Sequence, residues 1–173
     1  MAKTESCSKD GYKHYNGGWS SFSTNFYGGY AGNTKYAVIL KITTPNFKGQ
    51  SVSLKITIPW IRQSSTAKSG TLYFYIMSSN YTGTPGNMAS NSAVLHSGSA
   101  SWSASDQETH TTSCTISSKT LKPNTVYYIG VRCSTDFLEI GYNSSNKSKF
   151  VFDLTYNQNL IHVCTNSTSN TWK

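Results

Sequence analysis

Ser51-Val52-Ser53-Leu54-Lys55-Ile56-Thr57-Ile58-Pro59-Trp60 places Val52, Leu54, Ile56, Ile58 and Trp60 on one parity and Ser53, Lys55 and Thr57 on the other. Successive side chains of a β-strand point to opposite sides, so a period of two gives this segment one apolar and one wet face. Comparable runs recur. Tyr36, Val38, Leu40 and Ile42 alternate with Lys41 and Thr43, and Phe150, Phe152, Leu154 and Tyr156 alternate with Val151, Asp153 and Thr155. Pro45-Asn46 and Lys48-Gly49 separate 36–44 from 51–60, which predicts a strand–turn–strand hairpin.

Further strands are read at His110–Ser117, Thr125–Cys133 and Phe137–Tyr142, with an early one at Phe22–Tyr27 and an added edge at Leu160–Cys164. Thr71–Ser78 is apolar on both faces, as in a central strand or one lining a binding face: Leu72, Phe74 and Ile76 stand against Tyr73, Tyr75 and Met77. Ser79–Thr109 is rich in Ser, Gly, Asn and Thr and interrupted only by Ala93-Val94-Leu95, so it reads as a long irregular connection and a candidate contact surface. No helix-period segment of useful length and no internal repeat occurs.

About eight strands joined by long loops predict an all-β fold, an antiparallel β-sandwich of jelly-roll type. Its expected shared core holds Val52, Leu54, Ile56, Ile58, Phe74, Ile129, Val131, Phe152 and Leu154. The expected organisation is an N-terminal arm over 1–21, the sandwich over 22–157, and a C-terminal edge strand or tail over 158–173.

The chain has 173 residues, of which 13% are charged, while 28 Ser, 21 Thr and 14 Asn supply most of the polar surface. Such hydroxyl and amide surfaces suit β-rich secreted, cell-surface or virion-surface modules. The net charge is +8, but the lysines are dispersed, without a basic run; nucleic acid, which needs clustered phosphate contacts, is not an expected partner. Met1 to Gly11 lacks the apolar core of a leader, and no stretch approaches the ~20 apolar residues of a membrane span, so no membrane association is expected.

Catalytic signatures are missing. His14, His96, His110 and His162 form no His-x-His or His-x-x-x-His pair, no serine sits in a Gly-x-Ser-x-Gly elbow, and the glycine clusters precede strands rather than helices. Glycoside hydrolysis needs two converging carboxylates, and Glu5, Asp10, Asp106, Glu108, Asp136, Glu139 and Asp153 read as solvated surface acids. Cys7, Cys114, Cys133 and Cys164 lack metal-ligand spacing. No metal and no cofactor is expected. Cys114 and Cys133 share parity with apolar neighbours, which leaves buried free thiols or a Cys114–Cys133 bridge as alternatives.

The strand ending Ile-Pro-Trp60, the Leu72-Tyr-Phe-Tyr-Ile76 strand and above all Leu121-Lys-Pro-Asn-Thr-Val-Tyr-Tyr-Ile-Gly-Val131 carry a resemblance. Over residues 22–157 the chain resembles the jelly-roll modules of carbohydrate-binding-module type found in bacteriophage tail and other virion-surface proteins. The Leu-x-Pro-x-Thr-x-Tyr-Tyr pattern is shared with other β-sandwiches such as fibronectin type III domains. The resemblance implies non-catalytic structural or ligand-binding work and assigns no ligand. The expected function is that of a non-enzymatic virion-surface protein of a bacteriophage, a capsid decoration, head-fibre or tail component. The alternative is a carbohydrate-binding module of a secreted or cell-surface bacterial protein.

Aromatic side chains are the remaining signal: 12 Tyr and 4 Trp offer flat apolar rings with polar tips, suited to sugar faces and protein interfaces alike. Strand parity puts Tyr73, Tyr75, Tyr128 and Arg132 on one outward face, and with Trp102 they form the candidate ligand-binding set. Tyr12, Tyr15, Trp19 and Trp172 in the two polar ends are candidate assembly contacts. The expected partners are other virion subunits or further copies of the chain, with glycans as a second class.

Overall fold

The computed structural model describes residues 2–6, 11–15, 18–22, 30–32, 34–47, 52–63, 67–135, 138–140, 150–156 and 160–165. Their strands are β1 (Ala2–Ser6), β2 (Gly11–Tyr15), β3 (Gly18–Phe22), β4 (Tyr30–Ala31), β5 (Ala37–Thr43), β6 (Val52–Arg62) and β7 (Ser69–Met77). After a 3-10 helix over Pro85–Ser90 come β8 (Val94–Ser103), β9 (Thr109–Lys119), β10 (Val126–Cys133), β11 (Leu138–Ile140), β12 (Val151–Tyr156) and β13 (Leu160–Thr165). Eight of these, β5 to β10 with β12 and β13, reach six residues or more.

The strands form two sheets. In the first, β6 is central: β9 runs along one side from Val52 to Ile61, while β12 pairs with Val52–Thr57 and β11 with Trp60–Arg62 on the other. Beyond β12 lie β13 and then β1, and beyond β11 lies β4. Pro59, which has no N–H to donate, falls in the break between the β12 and β11 ladders. The second sheet has the order β3-β2-β5-β10-β7-β8. Pairing is antiparallel throughout except between β1 and β13.

The inward parity of both sheets meets in one core. Leu54, Ile56 and Ile58 of β6 and Phe152 and Leu154 of β12 join Phe74 and Ile76 of β7 and Ile129 and Val131 of β10 in a single apolar cluster. Each such side chain removed from water contributes about 1.5–3 kcal/mol before the entropy of ordering is subtracted. All nine residues expected in the shared core from strand parity lie in it.

The turn before β10 shows why the Leu-x-Pro-x-Thr-x-Tyr pattern matters. Leu121 is buried, Asn124 takes a left-handed φ of 49°, and the Tyr127 hydroxyl accepts the Lys122 N–H at 2.9 Å. Buried Thr44, just beyond β5, ties the same turn down: its hydroxyl donates to the Lys122 carbonyl (2.6 Å) and accepts the Thr125 N–H (2.9 Å). The loop is thus clamped by the strand it feeds and by the residue that follows the neighbouring β5.

Several expectations are corrected. β5 and β6 do not form a hairpin; β5 pairs with β2 and β10 in the second sheet, and the connection carries the chain across to the first. Matching period-two faces suit a crossover over a shared core as well as a hairpin. Residues 79–109 are not a structureless connection, since they hold the 3-10 helix and the ten-residue β8. β8 escapes detection because Gly98 and Ala100 interrupt its inward positions between His96 and Trp102: a Cβ on Gly98 would come within 2.7 Å of the Cys114 Sγ on β9, so the close approach of the two sheets leaves no room there for a bulky side chain. Residues 1–21, read as an arm or a first short strand, hold β1, β2 and most of β3, and β13 lies between β12 and β1. Of the two alternatives for Cys114 and Cys133, buried free thiols is the one the structure bears out. The expected strand over Phe22–Tyr27 overlaps β3 only at Phe22; residues 23–27 lie outside the described residues.

Candidate functional site

The outward face of the second sheet brings most of the candidate ligand residues together. Register sets Tyr128 beside Met77 and Lys41, Gly130 beside Tyr75 and Ile39, and Arg132 beside Tyr73. On the other side of β7, Ser97 lies opposite Tyr75 and Ser99 opposite Tyr73.

This face is not open. The segment after β7 folds back across it, and Tyr81 and Met88 bury themselves with Ala37, Ile39, Tyr75 and Met77 in a second apolar cluster. Tyr81 is held by its hydroxyl, which donates to the Thr84 carbonyl at 2.8 Å. Asn91 Oδ1 accepts the Ala93 N–H (2.8 Å), and Ser78 N–H reaches the Ala93 carbonyl (2.9 Å), so both ends of the segment are anchored.

The five candidates therefore separate. Tyr75 is 4% exposed and lies beneath the segment, which corrects its expected place on an exposed face. Tyr73 and Tyr128 are half-buried at the margin of the second cluster. The Arg132 guanidinium lies over the Tyr73 ring, 5.0 Å from its centroid, an arrangement in which the ring's negative face attracts the cation. Trp102 is on the opposite side of the sheet, in the shared core. Its ring stands edge-on to Trp60 at 5.2 Å, and its Nε1–H points at the Cys133 Sγ, 3.2 Å away. What remains accessible is a margin of Tyr73, Arg132 and Tyr128, flanked along β8 by exposed Ser97, Ser99 and Ser101.

The candidate assembly residues fall on the first strands and beyond the last. Tyr12 of β2 registers with Ile39 of β5, while Tyr15 and Trp19 lie in the β2–β3 ladder. Trp172 lies outside the described residues, as do Asp10 and Asp136.

A second cluster carries residues that parity reasoning did not single out. Asp106 Oδ1 lies 2.6 Å from His110 Nε2 and also accepts the Glu108 N–H at 3.1 Å. The His110 ring stacks on Trp60, centroids 4.9 Å apart and planes 27° from parallel. Arg62, almost wholly buried, donates from Nε to the Asp106 carbonyl and from Nη2 to that of Ser105, both at 3.1 Å. The His110 contact and the Glu108 N–H hold the Asp106 carboxyl below its ordinary value of 3.8. Lys68, Ser103, Ala104, Ser105, Asp106 and His110 line an open depression of about 460 Å³ here. The only sequence signal was an acid four residues before a histidine in a polar loop.

Chemically, the His110–Asp106 pair lacks the third member of a nucleophilic triad: among the described residues His110 hydrogen-bonds to Asp106 alone. Of the other acids, Glu139 accepts from Gln63 Nε2 at 2.9 Å, and Asp153 faces Lys55 across the β6–β12 ladder. Among the described residues no three His, Cys, Asp or Glu side chains gather to hold a metal ion, and no helix is long and apolar enough to cross a membrane. Compared with known protein families and with curated proteins, the chain matches none.

Proposed function

We propose that this chain is an antiparallel β-sandwich of jelly-roll type that serves as a non-enzymatic structural component of a bacteriophage virion surface. It docks on neighbouring subunits through the margin of Tyr73, Arg132 and Tyr128. The jelly-roll reading is supported by connections that change sheet at β5–β6, β6–β7, β8–β9, β9–β10 and β10–β11, instead of running up and down within one sheet. The virion setting rests on the resemblance of the Leu121–Val131 and neighbouring strands described above.

The observation that carries the docking role is the Arg132–Tyr73 stack on a prepacked floor. Aromatic and arginine side chains dominate interface energetics, and a pair whose ring already packs against the second cluster loses little further freedom on association. Purified particles from the source organism provide the test. The chain is expected to co-purify with them, and a Tyr73→Ser/Arg132→Ser variant that folds normally is expected to be lost from them. Absence of the wild-type chain from particles ends the virion reading. Binding of the isolated domain to a glycan array, abolished by the same variant, would move the reading to a carbohydrate-binding module.

A further inference from the structure

The depression lined by Lys68, Ser103, Ala104, Ser105, Asp106 and His110 rests on a fixed frame. Buried Arg62 holds the carbonyls of Ser105 and Asp106, and the Ala104 N–H donates to the Lys68 carbonyl at 2.9 Å. His110 is fixed by its stack on Trp60, whose own Nε1–H donates to the Thr112 hydroxyl at 2.9 Å and whose ring stands edge-on to Trp102. Polar groups held in this way lose little freedom when a ligand arrives.

The frame presents polar atoms that the protein itself does not use. Both contacts to the Asp106 carboxylate, from His110 and from the Glu108 N–H, fall on Oδ1, so Oδ2 accepts no hydrogen bond from any described residue. The Lys68 ammonium and the hydroxyls of Ser103 and Ser105, all on exposed residues, likewise make no hydrogen bond to another described residue. The volume of about 460 Å³ falls within the roughly 300–1,000 Å³ of small-molecule sites.

Charge decides the class of ligand. Arg62 and Lys68 stand against Asp106 and Glu108, so net charge selects neither an anion nor a cation. A ligand ammonium at Oδ2 would also feel the Arg62 charge that acts on the same carboxylate. A ligand carboxylate would find only exposed Lys68, and an ion pair in water contributes little. A hydroxyl needs no net charge: it donates to a carboxylate oxygen and accepts from an ammonium or a serine, and hydrogen bonds to charged groups are the stronger kind. Hydroxyls on adjacent carbons of a sugar ring can engage Oδ2 and the neighbouring donors together.

We infer that this depression is a non-catalytic binding site for a neutral saccharide, with Asp106 Oδ2 accepting from a ring hydroxyl and Lys68, Ser103 and Ser105 completing the contact. The inference holds whether or not the chain belongs to a virion. It also uses a different surface from the Tyr73–Arg132 margin: Tyr73 stands opposite Ser99 in the β7–β8 ladder, whereas Asp106 and His110 lie beyond Ser103, where β8 ends.

The test applies the full chain to an array of oligosaccharides of glucose, galactose, mannose and N-acetylglucosamine, with sialylated and sulfated forms alongside, and titrates the best neutral binder by calorimetry. Wild type is expected to bind neutral saccharides without preference for the acidic forms. In Asp106→Asn the His110 and Glu108 contacts retain the amide oxygen, so Nδ2 replaces Oδ2 and a donor stands where an acceptor is needed. Its affinity is expected to fall about tenfold or more, and that of Lys68→Ala about fivefold, with circular dichroism of both matching wild type. Four results would overturn the inference. The first two are a failure to bind any neutral saccharide and tighter binding of the sialylated or sulfated forms. The third is a loss in Asp106→Asn with Lys68→Ala unaffected, which would mark an effect of Asp106 on its own loop. The fourth is an Asp106→Asn variant that binds like wild type, with binding lost instead in Tyr73→Ser/Arg132→Ser or in neither.

Discussion

The sulfur of Met88 rests on Gly130: a Cβ built on that glycine would come within 2.5 Å of it and within 3.0 Å of the Met77 methyl. This contact lets the segment between β7 and β8 lie flat on the second sheet, and it turns an outward face into a second core. Gly130→Ala should gain something by stiffening the unfolded chain, but overpacking costs about 1–3 kcal/mol, more than the ~0.4–1 kcal/mol from stiffening. Urea denaturation should show a net loss of about 1–2 kcal/mol that Met88→Ala partly cancels in the double variant. Additive losses would mean that the two residues do not meet.

The turn before β10 offers a paired test. Tyr127→Phe removes the acceptor for the Lys122 N–H, and Thr44→Val removes both an acceptor and a donor for the same loop. Each should cost about 1–3 kcal/mol, and the double variant less than the sum because one clamped loop is being released twice. Equilibrium unfolding of the four proteins decides it.

Asp106 gives stability a dependence on acid. Its folded value is lowered, first by the His110 contact, so its contribution is present above 3.8 and lost as pH falls below 3.8 through the folded value. Asp106→Asn should therefore lower the thermal midpoint above that range and match wild type beneath it. The side chain is exposed, so the difference is small. A midpoint gap that persists in strong acid would contradict this account.

Asp153 behaves in the opposite sense. Partial burial raises its carboxyl above 3.8, and Lys55 across the ladder only partly offsets this. The folded state is then favoured at low pH, and that advantage is lost as pH rises through the folded value. Asp153→Asn should raise the midpoint at neutral pH, with the gain disappearing below 3.8. A lower midpoint at neutral pH would show that the Lys55 attraction outweighs burial.

Ile56 is wholly buried between the two sheets. Ile56→Ala should cost about 2–5 kcal/mol, and Ile56→Asp, which strands a carboxylate among aliphatic groups, should abolish cooperative unfolding. Retention of a sharp transition in the aspartate variant would place Ile56 nearer solvent than it lies here.

The period-two runs around 36–44, 51–60, 71–78, 125–133 and 150–156 determined by themselves which residues face the shared core, because each side chain's direction along a strand follows from local backbone geometry. They also placed Tyr73, Tyr128 and Arg132 on a common outward side. Partner choice was decided only by the tertiary structure: the crossing from β5 to β6, the strand hidden in the small residues of β8, the removal of Trp102 to the core and the meeting of Asp106 with His110 on Trp60. The burial of Tyr75 is the clearest case. Its outward parity is as the strand dictates, yet the residues that cover it, Tyr81 and Met88, come from a polar stretch whose own pattern gives no sign of where it packs. Alternation encodes which side a residue is on; what lies against that side is set by contacts among residues distant in the chain.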